Sequence, residues 1–95
     1  MKIEEFEERF VELFAFEIAQ EISKEAPKDT GLLAKSFAPT VTVVKGNIIT
    51  WRPPFYWKFV EFGTIKQRPN PFIRRTLEKE TDRVAVRVIE KLSKQ

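Results

Sequence analysis

Pairs of carboxylates one helical turn apart are the first groups in this sequence that could do chemistry. Three glutamate pairs have this spacing: Glu4/Glu8, Glu8/Glu12 and Glu17/Glu21. On a helix each pair would share one face, where two carboxylates can hold a divalent cation. The same spacing is more typical of a solvated helix face, and we favour that interpretation. The sequence therefore predicts no metal site.

Few side chains in this sequence are of a type that could carry out catalysis. It contains no histidine and no cysteine, which excludes Ser-His and Cys-His nucleophile pairs and cysteine-ligated metals. Asp29-Thr30-Gly31 matches the tripeptide of aspartic proteases, which need two such loops, each following a strand. Here a helix ending at Pro27 precedes the tripeptide, so we interpret it as a turn and helix cap. We expect no catalytic residue, no cofactor and no enzymatic activity.

A basic segment is the stronger candidate for binding. It contains four cations within ten residues and no acid between them: Lys66, Arg68, Arg74 and Arg75. Such a cluster can contact phosphates without reading bases, or pair with an acidic protein surface. A solvated loop would show the same composition. These three interpretations remain open from the sequence alone.

Two long helices are predicted to hold these groups. Apolar residues recur at helical spacing from Ile3 to Ile22, and Ala26-Pro27 ends that pattern. A second stripe runs from Phe72 towards the C-terminus, with Asn70 as the N-cap and Pro71 at the first helical position. Phe16 lies off the first stripe, which indicates either a subunit contact or packing under a loop.

Shorter elements are predicted between the two helices. Leu32–Ser36 should form one helical turn, and Phe37–Val44 should pair with Asn47–Arg52 as a β-hairpin across Lys45-Gly46-Asn47. The fold class is thus α+β, with two long helices packed on a small antiparallel sheet, and the 95 residues fit a single domain, 1–95.

An aromatic segment follows the predicted hairpin. Phe55, Phe59 and Phe62 occur at i, i+4 and i+7, which favours a helix ending at Gly63, although a strand is the competing assignment. We expect these rings to form core or interface, and base stacking is the alternative. Glu61 should be a structural hydrogen-bond acceptor, partnered by Arg52, Lys58 or an amide of the Gly63-Thr64 turn.

Charge is distributed unevenly along the chain. The net charge of +3 divides into −5 for residues 1–26 and +8 for the rest. A molecule with one acidic and one basic end can associate head to tail with its own copies, and two independently solvated helix faces are the alternative. No apolar run is long enough to cross a membrane, and five glutamates in the first twelve residues argue against a signal peptide, so we expect an intracellular origin.

Three stretches, taken in order, resemble one protein family. Ala26-Pro27-Lys28-Asp29-Thr30-Gly31-Leu32-Leu33-Ala34-Lys35-Ser36, Tyr56-Trp57-Lys58-Phe59-Val60-Glu61-Phe62-Gly63-Thr64 and Asn70-Pro71-Phe72-Ile73-Arg74-Arg75-Thr76-Leu77 are similar to signatures of the head–tail joining and tail-completion (neck) proteins of tailed bacteriophages and proviruses. Trp57 replaces a usually small residue of that family, and Arg75-Thr76 replaces its usual Pro-Ala. With both flanking helices, the resemblance covers nearly the whole chain.

The resemblance implies a non-catalytic virion protein, found in the host cytoplasm before assembly. It would form a ring of identical subunits between the head connector and the tail, with those proteins as partners and weak, non-specific contact with passing DNA. The basic segment would line the lumen or an interface, and Phe16 and Trp57 would make subunit contacts. Ten motif residues would be structural: Asp29, Thr30, Gly31, Ser36, Tyr56, Glu61, Gly63, Thr64, Pro71 and Phe72. The alternative is a small basic protein that binds nucleic acid through residues 66–75.

Overall fold

The computed structural model describes residues 2–27, 31–66 and 68–94. Its elements, in chain order, are helix α1 (Ile3–Glu25), the short helix α2 (Leu32–Lys35), a 3-10 turn (Pro39–Val41), strands β1 (Val43–Lys45) and β2 (Ile48–Thr50), the short helix α3 (Trp57–Phe62) and helix α4 (Phe72–Ser93). The predicted α+β class, with two long helices and a small antiparallel hairpin, is confirmed.

Helices α1 and α4 pack side by side and run antiparallel. The order follows from two ion pairs, because Glu25 at the end of α1 lies 3.7 Å from Arg75, whereas Glu17 lies 2.6 Å from Arg87. Between the helices, residues one turn apart on each stripe form a buried cluster: Ile18, Val84, Val88 and Leu92. The apolar stripes of the two helices therefore face each other and form one buried interface.

A second cluster lies at the end where α1 stops and α4 starts. Phe37 is 2% exposed and Phe72 is fully buried, and their rings meet edge to face at 5.8 Å. Phe37 also contacts Trp51, with ring centroids 5.6 Å apart. Ile22, Ala26, Leu33 and Ala34 complete this cluster.

The hairpin is shorter than the sequence suggests. Phe37 packs in the core and does not start a strand, and Pro39 begins a 3-10 turn. Thr42 then closes this turn, since its hydroxyl donates to the carbonyl of Ala38 at 2.9 Å and accepts from the indole of Trp51 at 2.8 Å. A β-branched run by itself cannot distinguish these conformations, because tertiary contacts decide between them.

The turn of the hairpin contains two residues and not three. Lys45 pairs with Ile48, so only Gly46 and Asn47 connect the strands. Gly46 has φ +59°, in the left-handed region that tight hairpin turns require. The hairpin lies against α1, while the two long helices make their main contacts with each other.

The aromatic segment forms the predicted helix, α3. Gly63 follows it with φ +76° and donates its N–H to the carbonyl of Phe59 at 2.9 Å, which confirms Gly63 as the terminator. The spaced phenylalanines do not enter the core: Phe55 is 83% exposed, Phe59 51% and Phe62 69%. Within the residues that the structure describes, no helix is both long and apolar enough to span a membrane.

Candidate functional site

Glu61 is the centre of the candidate site, because it joins two of the three motif stretches. It lies in α3 and is 5% exposed. Its two carboxylate oxygens accept hydrogen bonds from the backbone N–H groups of Ile73, at 3.0 Å, and Arg74, at 3.1 Å. Those amides belong to the first turn of α4, where backbone donors have no partner within the helix. A buried side chain from one helix thus caps another.

This geometry confirms Glu61 as a structural acceptor and corrects its expected partners. The prediction named Arg52, Lys58 or the Gly63-Thr64 turn, which are neighbours in sequence. The actual donors lie twelve and thirteen residues further along the chain. A carboxylate at a helix N-terminus also interacts favourably with the helix dipole, which gives a charged residue a reason to be buried here.

The predicted N-cap of α4 is wrong. The helix begins at Phe72 with Pro71 in the cap position, and no side chain of the cap residue itself makes a capping bond. Asn70 instead connects the loop to α3, because its N–H donates to the carbonyl of Val60 at 2.8 Å. Proline offers no N–H at that position, so the Glu61 carboxylate meets the next free donors.

The remaining motif residues surround this junction or support the loops beside it. Tyr56 packs against the cluster around Phe72. The hydroxyl of Ser36 donates to the carbonyl of Leu33 at 2.6 Å, and Thr64 Oγ1 accepts from the N–H of Lys66 at 3.3 Å. Gly31 precedes α2 with φ +74°. Asp29 and Thr30, predicted as a turn and cap, lie outside the described residues.

The four cations of the basic segment lie in different environments. Lys66 and Arg68 are exposed, and the side chain of Arg74 is 70% exposed, 3.9 Å from Glu78. Arg75 points towards α1, where it pairs with Glu25. The four cations of the sequence cluster therefore do not form one continuous surface.

The two predicted contact residues have different environments. Phe16 is 42% exposed on α1. Trp57 is half-buried and packs on the core, with its ring 6.4 Å from that of Phe62 and the ammonium of Lys58 6.0 Å above it. Phe16 is thus exposed and could contact a partner, whereas Trp57 packs on the core with only part of its side chain at the surface.

Sequence reasoning missed the role of Glu17. Its carboxylate bridges α1 to α4 by pairing with Arg87 at 2.6 Å and Lys91 at 3.4 Å. The available signal was the spacing of Arg87 and Lys91, which places two cations on one face of the facing helix. Across the residues with described placement, no cluster of three or more acidic side chains could hold a metal ion.

Apolar side chains and cations are exposed together on one segment of the surface. Exposed apolar side chains lie just before α3, in α3 and in the loop after it, in a segment that also carries exposed cations: Phe55, Phe59, Phe62 and the fully exposed Ile65. No family model matches the chain, and neither curated proteins nor solved structures show significant similarity to it.

Proposed function

We propose that this protein is a structural component of the neck of a tailed phage or provirus, where a ring of its copies joins the head connector to the tail. It would act by binding alone, in the virion. The proposal starts from the three ordered motif stretches described above.

The observation that carries it is the Glu61 bridge. The second stretch supplies the buried carboxylate and the third supplies the two amides that it caps. The third stretch also supplies Phe72, which is fully buried in the core, and the second supplies Gly63, whose positive φ ends α3. Residues that stand apart in the sequence thus form one structural unit, which supports treating the stretches as a joint signature.

The exposed surface also favours an assembling protein. Phe55, Phe62 and Ile65 are 83%, 69% and 105% exposed, and large apolar side chains gathered in one segment are typical of protein contacts. A ring would cover part of this surface.

Two observations test the proposal. Genes for portal, capsid and tail-tube proteins should lie on either side of the gene for this chain. Native mass spectrometry over a range of concentrations should show a ring-sized species. An unrelated gene neighbourhood together with a monomer at every concentration would refute it.

Nucleic-acid binding is the alternative, favoured by the exposure of Lys66, Arg68 and Arg74. It predicts that the monomer binds short duplex DNA with a steep salt dependence. Arg68→Ala/Arg74→Ala should then abolish binding, while Lys45→Ala/Lys79→Ala, which removes two exposed cations elsewhere, should leave most of it. Binding equally weakened by both pairs would indicate only general attraction to a positive protein.

A further inference from the structure

A groove of about 480 Å³ lies between α3 and the first turns of α4. Its apolar walls include Trp57, Phe62, Ile73 and Leu77, and Arg74 and Glu78 stand on its rim. Phe62 and Leu77 are 69% and 39% exposed, so water covers apolar surface that a protein normally buries.

One cation, Arg74, lines the groove, and further exposed cations lie in α3 and in the loop that leads to α4. The segment from Lys58 to Arg74 contains four exposed cations and one acid, and that acid, Glu61, is buried as the cap of α4. Arg75 is not counted, because it pairs with Glu25 of α1. Glu78 is the acid on the rim, and its 3.9 Å pair with Arg74 joins two side chains that are each about 70% exposed. Such a surface pair is weak, so Arg74 can exchange Glu78 for another carboxylate at little cost.

The opposite end of the molecule offers the complementary surface. The first two turns of α1 carry four exposed acids: Glu4, Glu5, Glu7 and Glu8. Among them stands Ile3, which continues the apolar stripe of α1 and is nevertheless 78% exposed. The cluster that packs α1 against α4 is joined by Phe6 and Phe10 but does not include Ile3. The tip of α1 is thus an exposed apolar side chain in a segment where four exposed acids outnumber two exposed cations, Lys2 and Arg9.

We propose that the tip of α1 in one copy docks into the α3–α4 groove of a second copy. Ile3 would pack against the apolar walls of the groove, while Glu4 and Glu7 would meet Arg74 and the neighbouring cations. At about 100° per residue, both glutamates lie on the same side of Ile3 around the helix. This inference deepens the proposed function, on which it rests for the assembly, by naming the contact between neighbouring subunits.

The fold prevents a chain from filling its own groove. Because α1 and α4 run antiparallel, the start of α1 and the start of α4 lie at opposite ends of a molecule that extends 52 Å along its longest axis. The two surfaces differ, so the contact is head to tail, and it closes a ring when the rotation per subunit divides the circle.

The test uses two variants of the full chain with matched controls. The tip variant is Glu4→Lys/Glu7→Lys, and its control is Glu12→Lys/Glu90→Lys, which changes the net charge equally at two exposed positions outside the tip. The groove variant is Arg74→Ala/Leu77→Ser, and its control is Arg83→Ala/Val86→Ser, the same chemistry at the same spacing on an exposed part of α4.

Association is measured by sedimentation velocity and native mass spectrometry. We expect the tip and groove variants each to weaken self-association at least tenfold and the controls to change it less than about twofold. An equimolar mixture of the two weakened variants should form a dimer and nothing larger, because only one intact tip can meet one intact groove. A misfolded variant could not form that dimer, so the mixture also reports on folding.

Three results would overturn the docking: a wild-type chain that stays monomeric, a tip variant that associates normally, or a mixture that remains monomeric. Normal rings from the tip variant would leave the neck proposal standing and move the contact elsewhere. Tip-dependent association of a protein whose gene has no phage genes around it would support the docking contact and refute the neck proposal.

Discussion

Replacing Glu61 should destabilise the protein more than replacing any exposed glutamate. Glu61→Ala removes both acceptors and leaves the N–H groups of Ile73 and Arg74 without partners beneath α3. Hydrogen bonds to charged groups contribute about 1.5–3 kcal/mol each, and losing a helix cap costs about 0.5–2 kcal/mol. Since these terms overlap, we expect the free energy of unfolding to fall by about 2–4 kcal/mol.

Glu61→Gln separates charge from shape. The amide keeps one oxygen for one of the two N–H groups, but its NH₂ group faces the other donor. The charge that interacts with the helix dipole is also lost. We expect a loss of about 1–2 kcal/mol, and Tm should fall by about 4–8 °C for each kcal/mol in a domain of this size.

Urea denaturation, monitored by circular dichroism, measures these losses in the free energy of unfolding. The protein concentration should be one at which the chain is monomeric, because association adds apparent stability. Glu90→Gln, an exposed change on α4, the helix that Glu61 caps, is the matched control and should stay within about 0.5 kcal/mol of wild type. Amide hydrogen exchange should also accelerate at Ile73 and Arg74 in Glu61→Gln. Equal stability of Glu61→Gln and Glu90→Gln, with unchanged exchange, would refute the capping role.

Two further predictions concern backbone and charge. Gly63→Ala should lower the free energy of unfolding by about 1–3 kcal/mol, because φ +76° with ψ 176° is a region that only glycine readily occupies. Gly46→Asn is the control in the same urea titration. Gly46 has φ +59° and open space around it, so this change should alter the free energy of unfolding by less than about 1 kcal/mol. For the interhelical pair, a double-mutant cycle of Glu17→Ala and Arg87→Ala should give a coupling of about 0.5–1.5 kcal/mol that shrinks in high salt, since Glu17 is 16% exposed and Arg87 47%. A coupling near zero, or one insensitive to salt, would contradict it.

The long helices could be predicted from the sequence because their signal is periodic and extended. The stripe from Phe6 to Ile22 and the one through Val84, Val88 and Leu92 both mark the buried face correctly, whereas Ile3 at the start of the first stripe is exposed. The strands could not be bounded in the same way. Phe37 and Val44 look alike in a β-branched, aromatic run, yet one fills the core and the other pairs in the hairpin, and only the packing around Phe72 separates them.

The candidate site shows a similar division. The sequence indicates that Glu61 needs a partner, since a carboxylate inside an apolar run cannot be buried alone. Its donors depend on how α3 lies against the start of α4, which no local pattern specifies. The exposure of Phe59 and Phe62 was equally hidden, because helical spacing identifies a face without saying whether that face meets the core, the solvent or another subunit.

The charge asymmetry gains its meaning from the antiparallel helices. Along the chain the two excesses, −5 and +8, are simply consecutive. In the fold, Glu17 and Glu25 of α1 pair with cations of α4, so these two acids are neutralised within the chain. The acids at the start of α1 and the exposed cations before α4 remain at opposite ends. Parallel helices would have brought these two groups to the same end, where one chain could satisfy both. Under the docking that we propose, that pairing falls to a second copy.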